Sequence, residues 1–245
     1  MKIACVIPAR LGSTRFPKKI FALLQGKTLL QSVWEAATSC SQFSDVQFAV
    51  DSLETAEHIH SFGGKYQMTS PTCSSGTHRI IECIQKGYID ADVFVNWQAD
   101  EPFIHSQMIT DLLQGIEKEG TIWTLKKLAT LEEVRRSDVV KVVADRYHKA
   151  LYFSRSLIPF DRDQTFPDYY KHIGLYAYTK EALNQISHFG QTPLCRSENL
   201  EQLLWLEEGL TIHAYTTEHD TIGIDTKEDL LKAEQFIRSL SKELY

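Results

Sequence analysis

Along the first hundred residues, short apolar runs rich in β-branched and aromatic side chains alternate with amphipathic stretches. This is the pattern of a mainly parallel sheet covered by helices. Strands are expected at 3–8, 46–50, 65–68 and 93–96, and helices near 28–39, 53–62 and 77–86. The pattern then changes. From 121 to 178 the runs TIWTLKKLA, VVKVVAD, ALYFSR and HIGLYAY are strand-like and carry few helical signals, so an antiparallel extension or sub-lobe is expected there. Helices return near 180–187, 197–207 and 227–240. With no repeat, low-complexity tract or linker between these elements, the reading is one α/β domain over 1–245 with a strand-rich sub-lobe at about 121–178.

Composition narrows the function. The 245 residues are 43% hydrophobic and 24% charged, ordinary for a globular chain with a large core. A formal net charge of −6 argues against a protein that coats nucleic acid by bulk electrostatics. Five scattered cysteines with no CxxC pair suggest neither a disulfide framework nor a thiolate zinc site, and fit the reduced thiols of a cytoplasmic protein. The apolar run after Lys2 ends at once in Arg10 with no small-residue cleavage pattern, and no run is long enough for a membrane helix, so no membrane partner is expected.

Positive charge is local. The first strand continues as IPARLGSTRFPKK, placing Arg10, Arg15, Lys18 and Lys19 where an open α/β sheet binds ligands, beyond the carboxyl end of a strand. Gly12 allows close backbone approach, Ser13 and Thr14 offer hydroxyls, and the cations can neutralise a triphosphate. The segment matches neither GxGxxG nor GxxxxGK[ST], and a solvated cationic loop is the alternative. A second strand ends in the same manner as VFVNWQADEP, presenting Gln98, Asp100 and Glu101. Carboxylates beside a phosphate-binding loop suit magnesium, although acids in a loop also serve as caps or face solvent. Asp225, in IGIDTKEDL, is a third candidate acid, expected where a short strand meets the last helix. With Glu228 three residues on, it also reads as an N-cap.

Eight segments in order carry a family resemblance: IPARLGSTRFPKK, MTSPTCSSGTHR, NWQADEP, VVKVVAD, ALYFSRSLIP, KHIGLYAY, NLEQLLWLEEG and GIDTKEDL. Over about residues 2–240 the chain closely resembles the 3-deoxy-D-manno-octulosonate (Kdo) cytidylyltransferases, also called CMP-Kdo synthetases. The resemblance implies a Rossmann-like nucleotide-diphospho-sugar transferase fold with an antiparallel dimerisation sub-lobe, hence a homodimer. It implies magnesium-dependent transfer of CMP from CTP to Kdo, which activates Kdo for lipopolysaccharide. Carried over by position, Arg10, Arg15 and Lys19 match triphosphate-binding residues; Ser75, Gly76 and Arg79 match the loop near the cytosine; and Asp100 and Asp225 match metal ligands. Gln98, Arg155, His172, Tyr176, Glu201 and Gln202 match the sugar-acid pocket, with Arg155 expected to face the Kdo carboxylate.

Three positions depart from the family pattern. Ala99 stands where glycine is common and would be strained at a positive φ, and His78 stands where an acid is common. Trp97 stands where a smaller apolar residue is expected. A cytidylyltransferase for another sugar acid, a glycosyltransferase of similar fold and a non-catalytic nucleotide-sugar-binding protein remain alternatives at this point.

Overall fold

β1 (Ile3–Ala9) is apolar without interruption because both its faces are covered: Ala4, Cys5, Val6 and Ile7 are all buried. After it come a short hairpin, β2 (Leu23–Leu24) and β3 (Lys27–Thr28), then α1 (Leu29–Thr38), β4 (Asp45–Val50), α2 (Leu53–Ser61), β5 (Tyr66–Met68), α3 (Gly76–Gln85) and β6 (Val93–Asn96). The computed structural model describes residues 1–13, 15–116, 121–165 and 167–243, so Thr14 lies outside the described residues. The chain packs as two compact units, Met1–Ser106 with Thr221–Tyr245, and Gln107–Asp220.

In the first unit the parallel strands lie in the order β6-β1-β4-β5. The chain runs outward from β1 through α1 to β4 and through α2 to β5. It then crosses back through α3 to β6, on the other side of β1. The direction of winding therefore reverses between β1 and β6, and at such a point the loops leaving two adjacent strands diverge and open a crevice. A hydroxyl starts each crossover helix, as Thr28, Ser52 and Ser75 accept from the backbone N–H of Gln31, Thr55 and His78. These strands and helices fall within about a residue of the sequence expectation.

The second unit contains α4 (Ser106–Leu113), whose first residue belongs to the first unit, then β7 (Ile122–Leu128), α5 (Leu131–Arg135), β8 (Lys141–Ala144), β9 (Ala150–Ser154), β10 (Tyr170–Thr179), α6 (Lys180–Ile186), α7 (Pro193–Glu198), α8 (Glu201–Glu207) and β11 (Ile212–Thr216). The antiparallel character expected of the middle segment is present: β10 pairs with β7 and β8, and β8 with β9. β11, which the sequence pattern did not mark, adds to β7 in parallel. Tyr176 and Tyr178 meet the buried Trp205 ring edge to face, at 5.2 and 5.4 Å. Lys141 is fully buried, yet its ammonium donates to the carbonyls of Arg136, Val139 and Arg155, so each of its N–H groups has an acceptor.

Two expectations need correction. The helix expected over 197–207 is two helices, because Asn199 adopts a left-handed conformation (φ 51°) and Leu200 is extended. Asparagine tolerates this region, and the break buries Leu200. The short strand expected before Asp225 is absent; there the backbone N–H of Ile224 donates to the carbonyl of Asp100 at 2.9 Å. After this contact comes α9 (Lys227–Glu243), which lays Leu230, Ala233 and Ile237 against Leu24, Leu29 and Ile224. The five cysteines are unpaired, and among the described residues no helix is long and apolar enough to cross a membrane.

Candidate active site

Beyond the carboxyl ends of β1 and β6, four of the first unit's candidate residues come together: Arg15, Lys19, Asp100 and Asp225. Arg10 is exposed directly beyond β1. The loop that follows is fastened by the Leu11 N–H, which donates to Asp51 Oδ1 at 3.0 Å, and by Lys18, whose ammonium lies 2.6 Å from Glu54. Arg15 Nη2 lies 2.9 Å from Asp225 Oδ2. Lys19 Nζ donates both to Asp100 and to Asp225 Oδ1, the latter at 2.7 Å. Burial alone would lower the Lys19 ammonium, but Asp100 and then Asp225 outweigh it and raise its pKa. Burial also opposes ionisation of Asp225, yet the hydrogen bond and charge of Lys19, joined by Arg15, hold that carboxyl below its usual range.

Trp97 has a structural reason to be there. Its ring is wholly buried, and its indole N–H donates to the Glu101 carbonyl at 3.0 Å while the Glu101 N–H donates to the Gln98 carbonyl at 3.1 Å. The large side chain thus fills the core and closes the turn that presents Asp100. Ala99, buried inside this turn, is not among the residues with positive φ, so its Cβ brings no backbone strain. Beside it, burial lifts the Glu101 carboxyl to about 7 despite a hydrogen bond from Thr221.

Asp225 is not the cap of α9. The Thr226 hydroxyl accepts from the Asp229 N–H at 3.2 Å, and Asp229 accepts from the Thr226 N–H at 2.9 Å, a reciprocal capping pair one residue later than the sequence suggested. The Asp225 side chain is left facing Lys19 and Arg15.

Around the start of α3, Ser75 caps the helix and also bonds His78 Nδ1 at 2.9 Å, with Ser74 Oγ 3.1 Å from the same nitrogen. His78 therefore braces the serine loop by hydrogen bonding. Gly76 packs closely on the end of β1: a Cβ there would sit 3.2 Å from Pro8 Cγ, so a side chain would need its neighbours to give by a few tenths of an ångström. The Arg79 guanidinium points inward, to Asp51 Oδ2 at 2.8 Å, Thr69 Oγ1 at 2.7 Å and the Ser70 carbonyl at 3.1 Å. Asp51 and Glu82, both bonded to these loops, were not singled out in the sequence. The signal for Asp51 was its place just beyond β4, the same carboxyl-end position that marked Asp100.

Of the sugar-acid candidates, Gln98 lies in the first unit and is exposed; the others lie in the second. His172 Nε2 is 2.9 Å from Thr124 Oγ1, and its ring meets Phe153 and Tyr176 with centroids 5.0 and 5.3 Å away. Burial pushes this imidazole down to about 3, so it is neutral. Burial also raises Tyr176, with the charges of Tyr178 and Glu201 adding to the effect. Gln202 is buried in the first turn of α8, next to Glu201. Arg155 donates from its guanidinium to the carbonyls of Glu198 (2.7 Å), Ser137 (3.2 Å) and Asn199 (3.4 Å), while its backbone N–H reaches Glu198 Oε2 at 2.8 Å. Three of the five guanidinium N–H groups are thus engaged with the protein.

A cationic loop and two converging carboxylates at the switch point of a parallel sheet define a nucleotide-binding α/β protein. The comparisons go further: the chain belongs to the cytidylyltransferase family, whose model matches residues 4–228. It is 41% identical to a 3-deoxy-manno-octulosonate cytidylyltransferase of Koribacter versatilis, over 98% of this chain and 91% of that one. A protein of the same name from Bacteroides thetaiotaomicron is 42% identical, over 98% of this chain and 100% of its own. Among solved structures, CMP:2-keto-3-deoxy-manno-octonic acid synthetase complexed with CTP superposes with a TM-score of 0.93 at 34% identity, covering 98% of this chain and 99% of that one.

The neutral His172 sets a pH dependence. Its folded pKa of about 3 lies below the ordinary 6.5, so its contribution to stability is complete above pH 6.5 and is lost as pH falls toward 3. Between pH 6.5 and 5 the loss should be on the order of 2 kcal/mol. Denaturant midpoints at pH 7 and pH 5 should show a shallower decline for His172→Gln than for the wild-type protein; equal declines would contradict the assignment.

Proposed function

We propose that this chain transfers CMP from CTP to Kdo, releasing pyrophosphate and activating the sugar acid for lipopolysaccharide. The observation that carries this reading is the convergence of Asp100 and Asp225 on Lys19, with Arg15 beside them, at the β1/β6 crevice. The near full-length likeness to proteins named for this transfer supports it.

Among the described residues no cluster of three or more His, Cys, Asp or Glu is placed to hold a metal ion, so the site offers a carboxylate pair. Such a pair suits magnesium, which is commonly held by one or two carboxylates together with substrate phosphates. The Lys19 ammonium already stands where both carboxylates meet, so the place favours a cation. Bound between Asp100 and Asp225, magnesium would lower the pKa of the Kdo anomeric hydroxyl and screen its approach to the α-phosphorus.

The remaining work falls to side chains. Arg10, Arg15 and Lys19 grip the triphosphate and stabilise the charge that develops on departing pyrophosphate. The serine loop and the first N–H groups of α3 receive the base through backbone polar groups. Arg155 has two N–H groups left for the Kdo carboxylate, and its carbonyl contacts hold the guanidinium plane still. His172, Tyr176, Glu201, Gln202 and Gln98 hold hydroxyls. Neutral at physiological pH, His172 orients a hydroxyl without taking its proton, and no protein general base is assigned.

The proposal extends to assembly and place. β9 pairs with β8 alone among the described strands, Leu151 on it is 60% exposed, and Phe160 beyond it is 87% exposed. A bare strand edge beside apolar side chains favours pairing with a second copy, so the strand-rich 139–178 segment is the proposed homodimer contact. The enzyme is proposed to work in the cytoplasm, with its thiols reduced.

Pyrophosphate release from CTP and Kdo, with and without magnesium, tests the reaction; no release with both substrates and metal present would refute it. Asp225→Asn should retain its thermal midpoint, because Thr226 caps α9, and should still bind CTP. Its turnover should fall about a hundredfold or more, as expected for loss of one preorganised electrostatic contact. Near-normal turnover would remove Asp225 from the mechanism. Lys19→Met should bind Mn2+ more tightly than the wild-type protein when no nucleotide is present, since the carboxylate pair loses its resident counter-ion; unchanged affinity in a calorimetric titration would mean that the pair is not the metal site. Light scattering at micromolar concentration should give the mass of two chains.

A further inference from the structure

A buried ion pair lies behind the groups assigned to substrate. Arg79 is 3% exposed, and its guanidinium meets Asp51 Oδ2 at 2.8 Å, while the other Asp51 oxygen accepts from the Leu11 N–H at 3.0 Å. The two oxygens of one carboxylate thus serve two different loops. The remaining Arg79 contacts go to Thr69 Oγ1 and the Ser70 carbonyl, at the start of the segment that leads to Ser75 and Gly76. One turn further along α3, Glu82 accepts from the Ser70 N–H with both oxygens, at 3.0 and 2.9 Å, and from the Cys73 thiol at 3.0 Å. Hydrogen bonds therefore run unbroken from the phosphate-binding loop at Leu11 to the base-reading loop at Cys73.

Burial of a guanidinium and a carboxylate is poor economy if stability is the only aim, since apolar residues of similar volume often do as well. What the ion pair supplies is fixed geometry. A loop that must be ordered when ligand binds loses affinity to that ordering, and a loop held beforehand does not. We propose that Asp51 is a positioning residue for the nucleotide, acting through Arg79 and Leu11 to lock the phosphate-binding and base-reading loops at one spacing, so that a nucleoside triphosphate meets both grips already set. The inference rests on the reading of this crevice as a CTP site. It assigns Asp51 no contact with the ligand.

The test is CTP binding by calorimetry on the full chain without Kdo, beside the steady-state KM for each substrate. Asp51→Asn keeps the side-chain shape and an acceptor for Leu11, but presents an amide to Arg79. CTP affinity and its KM should weaken about tenfold, as loss of a charge-assisted contact implies, with the Kdo KM changed less than about twofold. Pyrophosphate, which engages one loop only, should lose less than about threefold. A folded Asp51→Asn that binds CTP as the wild-type protein does would overturn the proposal. So would parallel weakening of CTP, pyrophosphate and Kdo, which is what general loosening produces. If Asp51→Asn has a depressed thermal midpoint, Thr69→Val takes its place: it removes one Arg79 acceptor, together with the hydroxyl's bond to the Val50 carbonyl, and leaves the ion pair. It should weaken CTP about two- to fourfold with Kdo unaffected, and no change in CTP binding would overturn the proposal. Wild-type protein that binds no CTP would instead refute the assignment of the crevice, whereas wild-type binding together with an unaltered Asp51→Asn refutes the positioning role alone.

Discussion

Two carboxyl groups held close together must either share a proton or take a cation between them, and Lys19 is that cation for Asp100 and Asp225. Much of the first unit reads as the means of satisfying this one electrostatic condition. β1 delivers Lys19 through a loop fastened at Leu11 and Lys18, and β6 delivers Asp100 through a turn closed by the Trp97 indole. The third member arrives at the far end of the chain, where the Ile224 N–H meets the Asp100 carbonyl and Thr226 relieves Asp225 of any capping duty. Reversal of strand order between β1 and β6 provides the crevice in which the three can meet.

The second unit uses charge differently. Its buried ammonium, Lys141, and the guanidinium of Arg155 both give their hydrogen bonds mainly to backbone carbonyls, so cationic side chains are used there to hold loops in place. Beside them His172 is kept neutral by burial and ringed by aromatic side chains. A surface of dipoles and aromatic edges, with a fixed cation near it, would suit the polyhydroxylated acid proposed for it, hydroxyl contacts giving orientation and one carboxylate giving attraction.

The strands at β1 and β6 were legible because burial on both faces leaves a continuous apolar run, and the acids and cations after them were legible because a carboxyl-end loop is where charge has work to do. Asp225 was harder. The sequence Asp-Thr-Lys-Glu-Asp contains two overlapping capping patterns, Asp225 with Glu228 and Thr226 with Asp229; the second is the one formed, while Asp225 is engaged by Lys19 and Arg15, partners distant in sequence. The break in the 197–207 helix hides for a similar reason: nothing in the local polarity shows that Asn199 turns left-handed to bury Leu200. α5 carries its own capping pattern, Thr130 with Glu133, but its single turn is lost among neighbouring strand-like runs. The inward course of Arg79 is invisible before packing, since an arginine in a ligand-binding motif reads as a ligand contact until its three acceptors are seen.

Gly76 has a consequence of a different kind. Its missing Cβ lets the start of α3 rest against Pro8 at the end of β1, where an added carbon would lie 3.2 Å from the proline ring. The absence of one atom therefore acts as a gauge block between the serine loop at the start of α3 and the strand that leads to the cationic loop. A side chain at this position would require the proline ring or the start of α3 to give by a few tenths of an ångström, so the spacing of these two segments is set in part by an atom that is missing.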